Sequence, residues 1–258
     1  MKELKELYRY RNLIFALVGR QLVGRYRGSA LGFLWSFLNP LFFMLIYTLV
    51  FKYYIRFDSV NNYSIYLFCG LLPWTWMSSG LLEAINSISA SGSLITKSMF
   101  PPQVLPVVSV VTNLVHYLLS LILLGLFMVF FSVPFTVALL FLPAVVFLQL
   151  ITMYGWALML ASLNVFYRDI LHVTSNLLNL LFFLCPILYP PTTVPEKFQF
   201  TIFLNPFALL ITAYHNVILD GQFPSLYTIS FLSLFAILIF VLGRRVYRSS
   251  YESFAECL

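Results

Sequence analysis

The sequence predicts an all-α integral membrane protein. It should have six transmembrane helices, an N-terminal amphipathic interface helix, a short cytoplasmic helix, and two half-helices on the outer side between spans five and six. Three observations carry this. Of 258 residues, 61% are hydrophobic and 9% charged, against roughly 45–50% and 25% in soluble domains. The mean hydropathy is +0.91. Uncharged apolar runs long enough to cross ~30 Å of hydrocarbon recur along the chain. A sphere of this size could not hide so much apolar surface, which excludes a water-soluble enzyme. Disorder is excluded too, because it needs low hydrophobicity and high net charge. The net charge is +6. In this composition the cations are read by position along the chain, and no nucleic-acid partner is expected.

The elements follow in order. Residues 1–32 form a basic amphipathic segment with no cleavable signal peptide. On a helical wheel Arg9, Arg20 and Arg27 share one face, and Ile14, Leu17, Val18 and Leu22 lie opposite. Topology-setting charge alone explains it, as does a docking surface with arginines near lipid phosphates. Gly24, Gly28 and Gly32 repeat every four residues, which fits close helix packing or a helix-entry feature. Residues 19–25 imitate a phosphate loop but lack its lysine and hydroxyl and follow no strand, so this chain should not hydrolyse ATP.

Residues 33–54 give span one and 64–84 span two, with Glu83 able to snorkel from the inner end. Residues 91–102 are a cytoplasmic connection. Serines can cap a short helix there, and Pro101-Pro102 stops it. Leu94, Ile95, Met99 and Phe100 would give it an apolar surface outside the membrane, to be covered by a partner or by the bilayer interface. Ser98–Tyr167 holds no formal charge and is too long for one span. It divides at Ser132-Val133-Pro134 into span three (104–131) and span four (135–166). Span five is 171–189 and span six 226–246, with a tail at 247–258. Within 190–224, Asn205-Pro206 and His215-Asn216 break an apolar run into two outward half-helices, a seventh span being the alternative. With six spans, twelve Lys and Arg fall on the side of both termini and three on the other. The positive-inside rule then makes both termini cytoplasmic.

Three spans carry polar stripes at helical spacing. Span one shows Gly32, Ser36, Asn39, Phe43, Tyr47 and Tyr54; span three shows Ser109, Thr112, Asn113, His116, Tyr117 and Ser120; span five shows His172, Ser175, Asn176, Asn179 and Phe183. Amides facing hydrocarbon are costly, so each stripe points into protein or into a water-filled path. Interhelical hydrogen bonding explains any one of them. The mixture of amides and rings on spans one and five suits a sugar path, because hydroxyls and amides exchange hydrogen bonds and rings pack on pyranose faces. No carboxylate pair, nucleophile–His pair or metal cluster is evident, His116 stands alone, and the three cysteines form no framework.

Five motifs in order resemble one family: the permease subunits of ABC transporters that export cell-surface polysaccharides such as O-antigen, capsule and teichoic acid. They are Arg25-Tyr26-Arg27-Gly28 through Gly32-Phe-Leu-Trp35 and Asn39-Pro40-Leu41; Leu94-Ile95-Thr96-Lys97 with Phe100-Pro101; Leu163-Asn164-Val165-Phe166-Tyr167-Arg168-Asp169-Ile170; Pro186-Ile187-Leu188-Tyr189-Pro190; and Asn205-Pro206-Phe207. The resemblance covers nearly the whole chain. It implies a homodimeric type-2 exporter permease in the bacterial inner membrane, with two separate cytoplasmic ATPase subunits. Those subunits would bind the ATP and Mg, leaving this chain without a cofactor. It further implies an undecaprenyl-diphosphate-linked polysaccharide moving between two permeases, lined by Ser36, Asn39, Phe43, Tyr47, His172, Ser175, Asn176, Asn179 and Phe183. Ser93, Leu94, Ile95, Lys97, Met99 and Phe100 would form a coupling helix in an ATPase groove. Arg20, Arg25 and Arg27 lie where a lipid diphosphate could be gripped, or where they merely anchor the segment at the interface. An exporter of another lipid or drug, a glycolipid-modifying membrane enzyme, and a channel or carrier without an ATPase are the alternatives.

Overall fold

The computed structural model describes residues 7–54, 62–92, 101–251 and 253–254, and among these no strand occurs. Helix α1 (Arg11–Tyr26) is the basic N-terminal helix. Its apolar face is where the wheel puts it: Ile14 and Val18 are buried against Val104 and Val108, with Leu17 and Leu22 at the edges. The chain then turns through Gly28 (φ 82°) and Gly32 (φ 49°), a left-handed backbone that glycine adopts without strain. Built Cβ atoms at Gly24, Gly28 and Gly32 meet nothing within 4 Å. Within the chain these glycines therefore make no close helix contact, and Gly28 and Gly32 serve the turn into α2.

Helix α2 (Trp35–Thr48) continues as a π turn, Leu49–Tyr54. Helix α3 (Tyr63–Ser87) is the hub of the fold, buried along most of its length. Helix α4 (Val104–Phe130) packs along it and ends in a tight turn with Ser132 at φ 57°. A 3-10 turn at Val137–Phe141 leads into α5 (Leu142–Phe166), so the division at 132–134 falls where the sequence puts it.

Helix α6 (Ile170–Leu184) corresponds to the expected span 171–189 but stops five residues early. Its 15 residues rise only about 22 Å, short of the ~30 Å hydrocarbon core. The cause is local: Pro186 follows Cys185, and a residue before proline is pushed out of the helical region; Cys185 is extended (φ −100°, ψ 146°). The pieces within 190–224 also differ in part from expectation. Glu196–Phe203, which includes α7 (Phe200–Phe203), and Pro206–Asp220 meet at 92°. Asn205 makes the corner, its side chain accepting from Phe207 N at 3.0 Å, with Pro206 opening α8 (Pro206–His215). His215-Asn216 is not a break: the helix winds on as a π turn, Asn216–Asp220, and ends at Gly221 (φ 64°).

Helix α9 (Leu226–Ser250) is capped by Ser225, whose Oγ accepts from Thr228 N at 3.1 Å. It lies backbone to backbone against α5. A Cβ on Gly155 would stand 2.7 Å from the Ile239 carbonyl carbon, and one on Gly243 2.8 Å from the Gly155 carbonyl carbon. These glycines make the close helix approach that small residues permit in membranes. In the tail, Tyr247 and Phe254 are buried beside Ile88, Leu158 and Ala161. Five helices among the described residues are long and apolar enough to cross a membrane: Gly32–Tyr54, Tyr63–Ser87, Val104–Phe130, Val137–Phe166 and Leu226–Ser250. The chain is therefore a multi-pass membrane protein.

Candidate functional site

The three polar stripes separate into two kinds of surface. The α4 stripe is interior: Ser109, Thr112, Asn113, Tyr117 and Ser120 are all buried. Its centre is a carboxylate. Glu83 of α3 accepts from Asn113 Nδ2 at 2.8 Å and from Gln21 Nε2 at 3.3 Å, and it pairs with the Arg25 guanidinium. Arg25 Nη1 also donates to Asn113 Oδ1 at 3.4 Å, and Thr112 Oγ1 donates to Gln21 Oε1 at 3.1 Å. Glu83 is about one-third exposed, so it keeps a path to water, and it also has protein partners that the sequence does not show. The stacking of α1 on α4 brings Gln21 and Arg25 to it, and three donors hold it between helices.

One turn further along α4, His116 is not alone. Its Nδ1 lies 3.1 Å from Ser36 Oγ, which is 2.8 Å from Tyr26 Oη. This corrects the reading that no Ser–His pair exists. It also moves Ser36, 6% exposed, off the expected lining face and into the helix junction. The pair lacks the rest of a hydrolytic site: His116 Nε2 has no partner among the described residues, hence no orienting carboxylate there. Gln21 and Tyr26 escaped the sequence reading, because their partners are set by how α1 docks rather than by spacing along α1.

The α6 stripe faces outward from the chain. His172, Asn176, Asn179 and Phe183 are exposed and Ser175 half-buried, while Thr174, Leu178 and Phe182 on the opposite side are buried. On α2, Asn39 and Phe43 are exposed and Tyr47 half-buried. Phe43 stacks on Tyr47 (6.3 Å, 22°), and Tyr47 meets Phe182 of α6 at 6.1 Å. α2 thus meets α6 through the buried side of α6, at Phe182. Arg20 and Arg27 are exposed, and Arg20 and Arg25 border a cleft of about 810 Å³ between α1, α3 and α4. Ser93, Leu94, Ile95, Lys97, Met99 and Phe100 lie outside the described residues. No group of three or more His, Cys, Asp or Glu side chains able to hold a metal occurs among the described residues.

Residues 12–219 match the family model described as ABC-2 type transporter. The chain is 39% identical to the O-antigen export system permease protein RfbA of Myxococcus xanthus, over 98% of each chain. It is 31% identical to the protein of that name from Klebsiella pneumoniae, over 96% of this chain and 95% of that one. With the polysialic acid transport protein KpsM of Escherichia coli it shares 22% identity over 92% of this chain and 93% of that one. The carboxylate, histidine and serine thus meet in a helix junction of a transporter's membrane subunit rather than of an enzyme, and the chain belongs to the ABC-2 type transporter family.

Proposed function

We propose that this chain is the permease through which a lipid-linked polysaccharide, such as an O-antigen carried on undecaprenyl diphosphate, leaves the cytoplasm. The observation that carries the reading is the open α6 face. His172, Asn176 and Asn179 are exposed, with Phe183 on the same side. Amides left in hydrocarbon are expensive, so this face belongs against protein or water. Two copies of the chain with their α2 and α6 faces opposed would enclose such a path. A sliding sugar chain needs many weak, exchangeable contacts, which amides and rings supply. The export activities named for the Myxococcus and Klebsiella relatives point the same way.

In this reading α6 and the stretch to Tyr189 make the fifth of six crossings, and the bent 196–220 segment dips into the outer leaflet. Both termini are cytoplasmic, following the charge asymmetry of the loops. Two separate ATPase subunits bind ATP and Mg and dock on the 93–100 connection, with Leu94, Ile95, Met99 and Phe100 in their groove. The diphosphate enters near Arg20 and Arg27, at the inner interface. The test is a single cysteine at Asn179 in a cysteine-free background, assembled with the ATPase. The N179C protein should export normally. Reaction with a bulky water-soluble thiol reagent should then stop export while leaving assembly and ATP hydrolysis intact. Full modification with unchanged export would remove α6 from the path.

A further inference from the structure

A second polar hollow lies away from the α2 and α6 faces. A cleft of about 610 Å³ opens where the α4–α5 turn, the Pro190–Thr192 stretch and the α8–π helix converge. Its lining mixes the hydroxyls and amide of Ser132, Thr192, Thr212 and Asn216 with the rings of Pro134, Pro190 and Pro191. Asp220 is the one formally charged side chain in this wall, and it is exposed. The carboxylate is held in place. With the Asn216 amide turned so that its nitrogen faces acceptors, that nitrogen lies 3.2 Å from Asp220 Oδ2 and 3.3 Å from the Thr212 carbonyl. Oδ1 is left to accept from a ligand. The wall is also firm: His215 stacks on Tyr66 at 4.1 Å, and its Nε2 lies 3.1 Å from the Tyr66 carbonyl. The turn that carries Asn216 and Asp220 is π-wound, a geometry frequent at functional sites.

The chemistry of the wall selects its ligand. A phosphate would meet a carboxylate and no cation. A purely apolar molecule would strip water from four polar side chains without replacing it. A neutral sugar ring fits, since its hydroxyls can donate to Asp220 and exchange bonds with the amide and hydroxyls, while its C–H face packs on the prolines. The volume lies within the ~300–1,000 Å³ usual for small-ligand sites. Pro190 at the cleft lies seven positions beyond Phe183, the last of the α6 stripe. At ~3.3 Å per residue the two are at most about 23 Å apart, within reach of a few linked sugars. We infer that this cleft binds a sugar residue of the emerging chain, as a saccharide subsite at the outer end of the molecule distinct from the α2 and α6 faces.

This inference rests on the polysaccharide reading, so the experiment tests the two separately. A photoreactive benzoylphenylalanine is placed at Thr192 in one variant and at Asn179 in another. Each is assembled with its ATPase in cells making the source strain's surface glycan, which is the probe. Both positions should crosslink to glycan. Asp220→Ala should lower the Thr192 crosslink about tenfold, the loss expected when a hydrogen bond to a charged group is removed, and leave the Asn179 crosslink unchanged. Asp220→Asn, which keeps an acceptor and the shape, should retain an intermediate yield and serves if the alanine variant fails to assemble. Crosslinking at Asn179 but not at Thr192 would overturn the subsite and leave the export reading standing. A Thr192 crosslink indifferent to Asp220 would overturn it as well. Absence of glycan at both positions would overturn the export reading, and the subsite with it.

Discussion

Helices α4 and α6 carry the same kind of sequence signal and use it in opposite ways. Each sets amides, a histidine and hydroxyls at helical spacing within an otherwise apolar segment. On α4 the stripe is interior: Asn113 is 3% exposed and bridges Glu83 and Arg25. On α6 His172, Asn176 and Asn179 are exposed, and only the opposite face is buried. The difference arises outside both helices. α4 is covered on one side by α3, which brings Glu83, and on another by α1, which brings Gln21 and Arg25. α6 is too short and too peripheral to be wrapped, so its polar face is left for something beyond the chain. Periodicity therefore tells which residues share a face, and the neighbours decide whether that face is glue or path.

The comparison breaks most sharply on stability. Replacing Asn113 with Leu removes its contacts to Glu83, Arg25 and the Ser109 carbonyl. Two of these are interhelical, averaging roughly 0.6 kcal/mol each in membranes, and with partly buried Glu83 left short of a donor the loss should be about 2 kcal/mol. Glu83→Ala should lose less, about 1 kcal/mol, because both partners of its ion pair are about one-third exposed and water screens them. Asn179→Leu should leave stability within about 0.5 kcal/mol. Thermal unfolding of the three variants in one detergent measures this. Equal losses at Asn113 and Asn179 would mean that the α6 face is packed after all.

Composition and periodicity made the membrane class, the division at 132–134, the corner at Asn205-Pro206 and the buried Ile14/Val18 face legible, because each depends on local chemistry. Three features depended on tertiary contact and were not. Gly155 and Gly243 lie 88 positions apart and matter only because α5 and α9 touch. The pairing of Glu83 with Arg25, 58 positions away, exists only because α1 docks beside α3. Ser36 shares a wheel face with Asn39, yet Tyr26 and His116 draw it inward. The early end of α6 could have been read from Pro186 alone, and the five residues beyond Leu184 were counted as helix because they are apolar.

The next effect is on export with folding intact. Asn179→Arg, or Asn176→Arg, places a fixed cation on the open face. It should cut polysaccharide export at least about tenfold, whereas alanine at Asn39, Tyr47, Asn176 or Asn179 should leave most of it, since many contacts share the load. Surface glycan measured per assembled complex reads this. A severe loss from any single alanine would point to one specific binding site in place of a sliding path. The docking reading is tested in the same assay: Leu94→Asp with Ile95→Asp should uncouple ATP hydrolysis from export and leave the permease folded. Normal export by that double variant would remove the 93–100 connection from coupling.

The smallest effect, and the most informative about α1, concerns its arginines. A test that reverses Arg25 and Arg27 together would mix two roles, because Arg25 is already committed to Glu83 and Asn113. R25E would set a second carboxylate against Glu83 and open the helix junction whatever the lipid does. Arg27 is exposed and follows the last residue of α1, so its guanidinium is available to a headgroup. Separate substitutions resolve this. Arg25→Gln should weaken thermal stability modestly, and adding Glu83→Gln should restore part of it by removing the unpaired carboxylate. Arg27→Gln should leave stability unchanged and lower crosslinking of lipid-linked glycan to the inner side several-fold. If Arg25→Gln lowers crosslinking without a stability change, the guanidinium is shared with the diphosphate and Glu83 acts as its competitor. If Arg27→Gln changes neither, that arginine only orients the chain in the membrane.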